Sequence, residues 1–265
     1  MPHRIVSLFR SKSFKIALAI ILFIAALLII LAMNLGNQAG QFVIRVQSGA
    51  ADKSIMISES EDFENPDNQM SSKTVQGIDG MLDYSPSYFL EEGYTKLNEY
   101  TNHLGVQQID NSLYVYTFYI VNTSGAGNSV GVNISLSYSN VTNHTDEIVR
   151  VLTYYQSYNV SDPRVYQKAD DLTKLGLSEP YLYTKYILPP YTFADSSNPS
   201  QGVVFNDQSV HIGANSGENF VKYSIFFWVE GDDPDSNYYE TPDGGNQLYG
   251  GTIKFRLDIT VDMTV

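Results

Sequence analysis

The 265-residue chain contains no cysteine. Neither disulfides nor thiolate metal sites can therefore contribute to its stability or its chemistry. Small exported domains often depend on disulfides, whereas a domain of roughly 200 residues buries enough apolar surface to fold without them. Because exported animal domains are often disulfide-bonded, the lack of cysteine favours a bacterial surface protein.

Recognisable catalytic motifs are also lacking. The four histidines are scattered along the chain: His3, His103, His144 and His211. No H-E-x-x-H motif places two of them on one helix face, and there is no G-x-S-x-G elbow. His144 lies beside Asp146 and Glu147 and could bind a metal, but a solvated turn is the better interpretation. We therefore expect no enzyme and no catalytic residues.

Acidic residues are missing from the first 33 positions, which carry only basic charges, at Arg4, Arg10, Lys12 and Lys15. The run from Ile16 to Met33 is apolar throughout, and as a helix it would be about 27 Å long, close to the thickness of a bilayer's hydrocarbon core. Basic flanks stay on the cytoplasmic side. We expect a cytoplasmic segment 1–15, a transmembrane signal-anchor helix 16–33, a linker 34–40 and an extracellular domain 41–265.

A cleaved signal peptide is the alternative to this single-pass anchor, and cleavage would make the protein secreted. The apolar region of a signal peptide is usually about 7 to 15 residues long and ends in an A-x-A-like pattern. Here the run is longer, and Asn37-Gln38-Ala39 matches that pattern poorly because its outer position is not small. The sequence therefore favours a retained anchor in the cell membrane.

The part after the anchor is strongly acidic. It carries 12 Lys and Arg against 29 Asp and Glu, a net charge of −17. Such a domain repels nucleic acid and anionic headgroups and attracts cations. We therefore expect no nucleic-acid partner.

Aromatic residues are abundant, with 20 Tyr and 13 Phe, and these residue types favour strands. The predicted strands are 41–47, 55–57, 113–122, 130–138, 148–155, 221–230 and 253–265. Tyr88 to Leu104 has a partial helical spacing that Gly105 could end. The polar stretch from Asp162 to Leu177 is compatible with a short helix.

The apolar patterns of these strands predict which faces are buried. Leu113 to Asn122 is almost continuously apolar, which is typical of a strand covered on both faces, whereas Val130 to Tyr138 alternates and should have one wet face. We expect these two strands to form an antiparallel pair. Ile253 to Val265 alternates throughout, so burial should determine its register. The pattern predicts a mainly β ectodomain, an antiparallel sandwich of jelly-roll or immunoglobulin-like kind.

Four segments resemble a known family. They are Lys222–Pro234, Gly250–Phe255, Tyr116–Asn122 and Val149–Val151. Together with the N-terminal export helix and the cysteine-free acidic domain, they are similar to the TasA/camelysin family of exported proteins of Gram-positive bacteria. The resemblance implies a jelly-roll domain, a surface or biofilm-matrix role, and fibre assembly in which a strand passes between subunits. Camelysin-type proteins have been classed as metallopeptidases, so a surface metallopeptidase is the least favoured of the alternative functions.

The turn-rich stretch from Gly231 to Gly251 holds the candidate binding residues. Asp232, Asp233 and Asp235 form a candidate calcium loop because calcium favours clustered carboxylate oxygens, although acidic residues beside Pro234 also suit an ordinary turn. Tyr238, Tyr239 and Tyr249 are candidates for stacking on sugars. No other cofactor is expected.

The sequence thus favours a membrane-anchored, extracellular structural or adhesive protein, with a biofilm-matrix or fibre-forming subunit as one form of this role. Gln41 to Gln47 would be the donor if subunits exchange strands. The alternative is a carbohydrate- or peptide-binding surface module. The expected partners are the membrane, through Ile16–Met33, a second copy of the chain, and a cell-surface protein or glycan.

Overall fold

The computed structural model divides the chain into two compact units, Met1–Ala39 and Gly40–Val265. It describes residues 42–46, 55–60, 62–63, 69–71, 95–109, 113–124, 128–157, 161–170, 172–175, 191–230, 233–235, 247 and 250–261, all in the second unit. The predicted anchor, Ile16–Met33, lies outside these residues. Among the described helices, none combines the length and the apolar composition that a membrane crossing needs.

The described part of the second unit is mainly β. Its strands are β1 (Phe42–Val46), β2 (Ile55–Ser58), β3 (Gln69–Ser71), β4 (Gly105–Ile109), β5 (Leu113–Asn122), β6 (Val130–Ser139), β7 (Val149–Gln156), β8 (Ser161–Gln167), β9 (Tyr191–Thr192), β10 (Asp195–Asn198), β11 (Gln201–Ile212), β12 (Phe220–Val229) and β13 (Lys254–Val261). Residues 95–100 are helical, and short helices occupy Thr145–Ile148 and Leu172–Leu175. All the predicted strands are present over the described residues, and residues 95–100, within the stretch Tyr88–Leu104 that has a partial helical spacing, are helical.

The strands form two sheets. The six-stranded sheet has the order β10-β11-β6-β13-β1-β3, and the seven-stranded sheet has the order β2-β5-β12-β7-β8-β9, with β4 also paired to β5. Most pairings are antiparallel, but β1 runs parallel to β13 and β8 runs parallel to β9. The expectation of a purely antiparallel fold is therefore wrong. Neither parallel pair is joined by a tight turn, so no hairpin forces the two strands to run in opposite directions.

The predicted pairing of β5 with β6 is also wrong, because the two strands lie in different sheets. β5 pairs with β12, with Phe118 opposite Tyr223, whereas β6 pairs with β11 and β13, with Leu136 opposite Leu257. The connection between β5 and β6 therefore crosses from one sheet to the other. Alternation along a strand identifies its buried face, but it does not identify the neighbouring strand.

The two sheets pack face to face through an aromatic-rich core. Phe227 of the seven-stranded sheet stacks on Phe255 of the six-stranded sheet, with ring centroids 4.5 Å apart, and meets Phe42 at 5.3 Å. Tyr166 and Phe205 make a second stacked contact between the sheets, at 4.9 Å. These contacts confirm a two-layer β-sandwich.

The outer face of the seven-stranded sheet is covered as well. Leu97, in the helix 95–100, belongs to a buried cluster with Val115, Phe226 and Trp228. The Asn98 Oδ1 atom of the same helix accepts hydrogen bonds from the Tyr154 hydroxyl, at 3.0 Å, and from a neighbouring glutamine amide of β7. All ten residues of β5 are buried, which confirms the prediction of a strand covered on both faces.

The outer face of the six-stranded sheet is polar. On β6, Asn133, Ser135 and Ser137 are partly exposed between buried apolar residues. On β13, Phe255 and Leu257 are buried and Arg256 between them is exposed. The predicted alternation of both strands is thus confirmed over the described residues, which end at Val261.

Candidate functional site

The acidic turn after β12 lies against the end of the seven-stranded sheet. Asp233 is fully buried, and one of its carboxylate oxygens forms an ion pair with Arg150 of β7. Its other oxygen accepts a hydrogen bond from the backbone N–H of Asp235 at 2.8 Å. An aspartate that bonds to the backbone two residues later is a common turn former, so the local sequence favours this conformation.

Further charged groups surround this turn. Asp235 forms an ion pair with Lys174, with Nζ and Oδ1 2.7 Å apart, and Lys174 also contacts Glu147. Lys168 lies 2.5 Å from Asp146 and 3.6 Å from Glu147. The carboxylates come from the helix Thr145–Ile148 and from the turn after β12, whereas the two lysines follow β8. We call Asp146, Glu147, Arg150, Lys168, Lys174, Asp233 and Asp235 the charged cluster.

The charged cluster continues directly into the apolar outer face of the seven-stranded sheet. Arg150 is paired in register with Trp228, whose indole N–H donates a hydrogen bond to the buried Glu230 at 3.1 Å. The backbone N–H of Glu230 in turn donates to the carbonyl of Ile148 at 3.0 Å. The beginning of the long β12–β13 connection is therefore held against β7 and the helix that precedes it.

Burial changes the protonation of one member of the charged cluster. It raises the pKa of Asp235 to about 6, and the nearby carboxylates of Asp233 and Glu147 add to the rise, while the Lys174 ammonium opposes it. Ion pairs with low exposure lose favourable hydration on folding, so such a cluster specifies one arrangement of the chain more than it adds net stability. Its ion pairs join three connections of the chain, namely the helix Thr145–Ile148, the segment after β8 and the turn after β12.

The candidate calcium residues are only partly described. Asp232 lies outside the described residues, and the ionic partners of Asp233 and Asp235 are the side chains of Arg150 and Lys174. Within the described part of the chain, no group of three or more His, Asp or Glu side chains is placed to hold a metal ion. A calcium site that uses Asp232 stays a prediction, and a shift in melting temperature on adding a chelator is the measurement that tests it.

The other predicted site residues cannot be placed. Tyr238, Tyr239 and Tyr249 all lie outside the described residues. His144 is described: its side chain is half exposed on a turn, with Nδ1 3.8 Å from Glu147. The neighbouring Asp146 is buried and paired with Lys168, so these three side chains do not converge on one point.

Sequence reasoning missed the cations of the charged cluster. Arg150 was a visible signal, because it interrupts the apolar strand Val149–Gln156 and a charge there needs a buried partner. Its partner, Asp233, is 83 residues away in the sequence, so no local spacing could identify it. Lys168 and Lys174 lie in a polar stretch, where lysine is ordinarily solvated.

Neither family models, nor curated protein sequences, nor solved structures give a significant match to the chain. The resemblance to the TasA/camelysin family therefore stays a prediction that rests on the segments quoted above.

Proposed function

We propose that this chain is a membrane-anchored protein of the cell surface with a structural or adhesive role and no catalysis. The observation that carries the proposal is the cysteine-free sandwich, whose two sheets share one aromatic core, in a unit that follows a basic and then apolar N-terminal segment. A rigid sheet scaffold that presents long connections suits recognition or assembly.

A jelly-roll-like topology is the finer form of this proposal. The chain alternates between the sheets: β5 lies in one and β6 in the other, and β12 and β13 are divided in the same way. Such repeated crossing between layers is typical of Greek-key and jelly-roll sandwiches. It supports the TasA/camelysin resemblance without depending on it.

The connection between β12 and β13 is the proposed contact surface. It is long and turn-rich, and the charged cluster holds its first residues, Asp233 and Asp235, against the sheet. A connection that is anchored at its base loses less conformational entropy when it binds. This anchoring supports an adhesive role for the stretch 231–251.

Strand exchange between copies is the proposed route to a fibre. β1 contributes Phe42, Ile44 and Val46 to the core, and among the described residues it pairs with β13 over five positions and with β3 over three. A short strand at the N-terminal start of the unit can be supplied by a neighbouring copy. The segment Gln41–Gln47 is therefore the proposed donor.

Two experiments test these proposals separately. Protease added to whole cells should digest the domain and leave the N-terminal segment in the membrane fraction. Full-length protein found free in the cytosol would contradict the surface role. Electron microscopy of a chain beginning at Gly40 should show filaments that are missing from a chain beginning at Ser48. Filaments from both would exclude Gln41–Gln47 as the donor.

A further inference from the structure

A second group of polar and aromatic side chains lies at the open end of the space between the sheets. Tyr155 of β7 is opposite Asp162 of β8, and Tyr166 of β8 is opposite Tyr191 of β9. Tyr166 belongs to the core between the sheets, and Asp162 and Arg164 precede it at two-residue intervals on the same strand. All these side chains therefore share the inner face of the seven-stranded sheet. We call Tyr155, Asp162, Arg164 and Tyr191 the Tyr191 patch.

Three members of this patch are accessible, while Tyr155 packs partly buried against the core. Tyr191 is 55% exposed, and the side chains of Arg164 and Asp162 are 33% and 29% exposed. Tyr166, the next inward-facing residue of β8, is only 4% exposed. The inner face thus passes from buried core to accessible surface within one step of the strand.

The exposed ring of Tyr191 has a rigid support. Its centroid lies 5.5 Å from that of Tyr166 with the planes 33° apart, and Tyr166 stacks in turn on the buried Phe205. Tyr166 is itself buried, so the ring on which Tyr191 packs is held in place by the core. Single exposed apolar residues are ordinary, but this one is the outer member of a stack of three rings.

A fixed ion pair lies beside this stack. Arg164 donates from Nε, at 2.9 Å, and from a terminal nitrogen, at 2.8 Å, to the same Asp162 oxygen. The guanidinium has five N–H donors and the carboxylate has two acceptor oxygens, so the pair offers both hydrogen-bonding types on a preorganised frame. Because the charges are opposite, the pair adds no net charge to the patch.

We propose that the Tyr191 patch is a contact site for a neutral saccharide chain. The C–H face of a sugar ring packs on the exposed tyrosine ring, while its hydroxyl groups accept from Arg164 and donate to Asp162. Both elements are held in place before binding, so little side-chain entropy is lost. Anionic polymers are disfavoured because the chain as a whole carries a net charge of −13.

This site goes beyond the proposed structural role, because it names a ligand class and uses side chains of β7, β8 and β9 instead of the β12–β13 connection. It does not depend on the membrane location or on strand exchange. If saccharide binding is not observed, the proposed surface role is unaffected. If the surface role is contradicted, saccharide binding by the Tyr191 patch can still be measured.

Saturation-transfer NMR on the full chain, in a detergent without a sugar headgroup, is the test. The probes are neutral hexasaccharides, namely cellohexaose, laminarihexaose, maltohexaose and chitohexaose, beside an oligogalacturonate as the anionic comparison. At least one neutral probe should bind with a Kd on the order of 1 mM or tighter. Tyr191→Ala should weaken that binding at least about tenfold, and Tyr191→Phe, which keeps the ring, should restore most of it.

The control is Val106→Ala on β4, which removes the other large apolar side chain that is exposed in the described residues. It should leave saccharide binding unchanged, and melting curves should show that every variant is folded. The proposal is overturned if none of the neutral probes binds the unaltered chain, if only the anionic probe binds, or if folded Tyr191→Ala binds as tightly as the unaltered chain.

Discussion

The two sheets of the domain share one core but differ in what lies on their outer faces. On the six-stranded sheet the outer side chains of β6 are serines and an asparagine that are partly exposed. On the seven-stranded sheet the corresponding positions carry Val115, Phe226 and Trp228, which form a buried cluster with Leu97 of the helical residues 95–100. The seven-stranded sheet thus lies between two layers. Its strands β5 and β12 are buried almost throughout and lack the alternation of buried and partly exposed residues that β6 shows.

The covered sheet is also the one that carries buried charge. Arg150 lies next to Trp228 on the outer face, and its partner Asp233 follows β12. The apolar cluster around Leu97 and the charged cluster therefore meet at this pair, Trp228 and Arg150. The stability of the domain should therefore depend much more on the outer face of the seven-stranded sheet than on that of the six-stranded sheet.

Replacing Trp228 with alanine is expected to have the largest effect. The change leaves a cavity in the buried cluster that contains Leu97 and removes the hydrogen bond to Glu230, so the free energy of unfolding should fall by about 3–5 kcal/mol. Since Trp228 is the only tryptophan, urea unfolding has to be followed by circular dichroism. Trp228→Phe is the matched control and should lose less. A loss below about 1 kcal/mol for the alanine variant would mean that this face is not a second core.

Replacing Arg150 with methionine should cost nearly as much. The substitution leaves Asp233 buried without its guanidinium partner, which typically costs about 3–5 kcal/mol. The double variant Arg150→Met with Asp233→Leu removes both charges and should recover a large part of the loss. If the double variant is as unstable as the single one, packing rather than the unpaired charge explains the effect.

Asp235 should make the charged cluster sensitive to pH. Burial raises its pKa to about 6, above the unfolded value of 3.8, so the stability it contributes is complete below pH 3.8 and is lost as the pH rises through 6. Asp235→Asn has no such titration, so its stability relative to the unaltered chain should increase from pH 4 to pH 7, by at most about 3 kcal/mol. Melting temperatures of both proteins across this range provide the measurement. A constant difference between them would contradict the raised pKa.

Two serine substitutions should compare the outer faces directly. Ser224, on the seven-stranded sheet, has its hydroxyl 2.9 Å from that of Thr117 in a buried pair, so Ser224→Ala should cost about 1–3 kcal/mol. Ser135, at the middle of β6, is partly exposed, and Ser135→Ala should change stability by less than about 0.5 kcal/mol. If the two substitutions change the free energy of unfolding in urea equally, the two outer faces do not differ in their contribution to stability.

Part of this comparison could be predicted from the sequence. The continuous apolar run of Leu113–Asn122 indicated a strand covered on both faces, and the alternation in β6 and β13 indicated one wet face, because side chains on a strand point alternately to its two sides. The covering element could not be identified in the same way. Residues 95–100 show only a partial helical spacing, and their place on the sheet depends on contacts such as Asn98 with Tyr154.

The candidate sites depended still more on distant contacts. The acidic turn with Asp233 and Asp235 was visible as a loop that could hold a cation, but the cations described there are Arg150 and Lys174. The Tyr191 patch had no signal in the sequence, since a tyrosine near Pro189-Pro190 is unremarkable by itself. Its ion pair lies within β8, but the stack exists only because β9 returns beside β8.

The sequence by itself determined that the chain is mainly β, that it is stable without disulfides, and which strand faces are buried, because composition and two-residue alternation are local properties of the polymer. Only the tertiary structure decided which strands are neighbours, that β1 and β13 run parallel, and which cations meet the buried aspartates. Those choices join residues far apart along the chain, and each depends on many packing contacts at once rather than on the residues next to it.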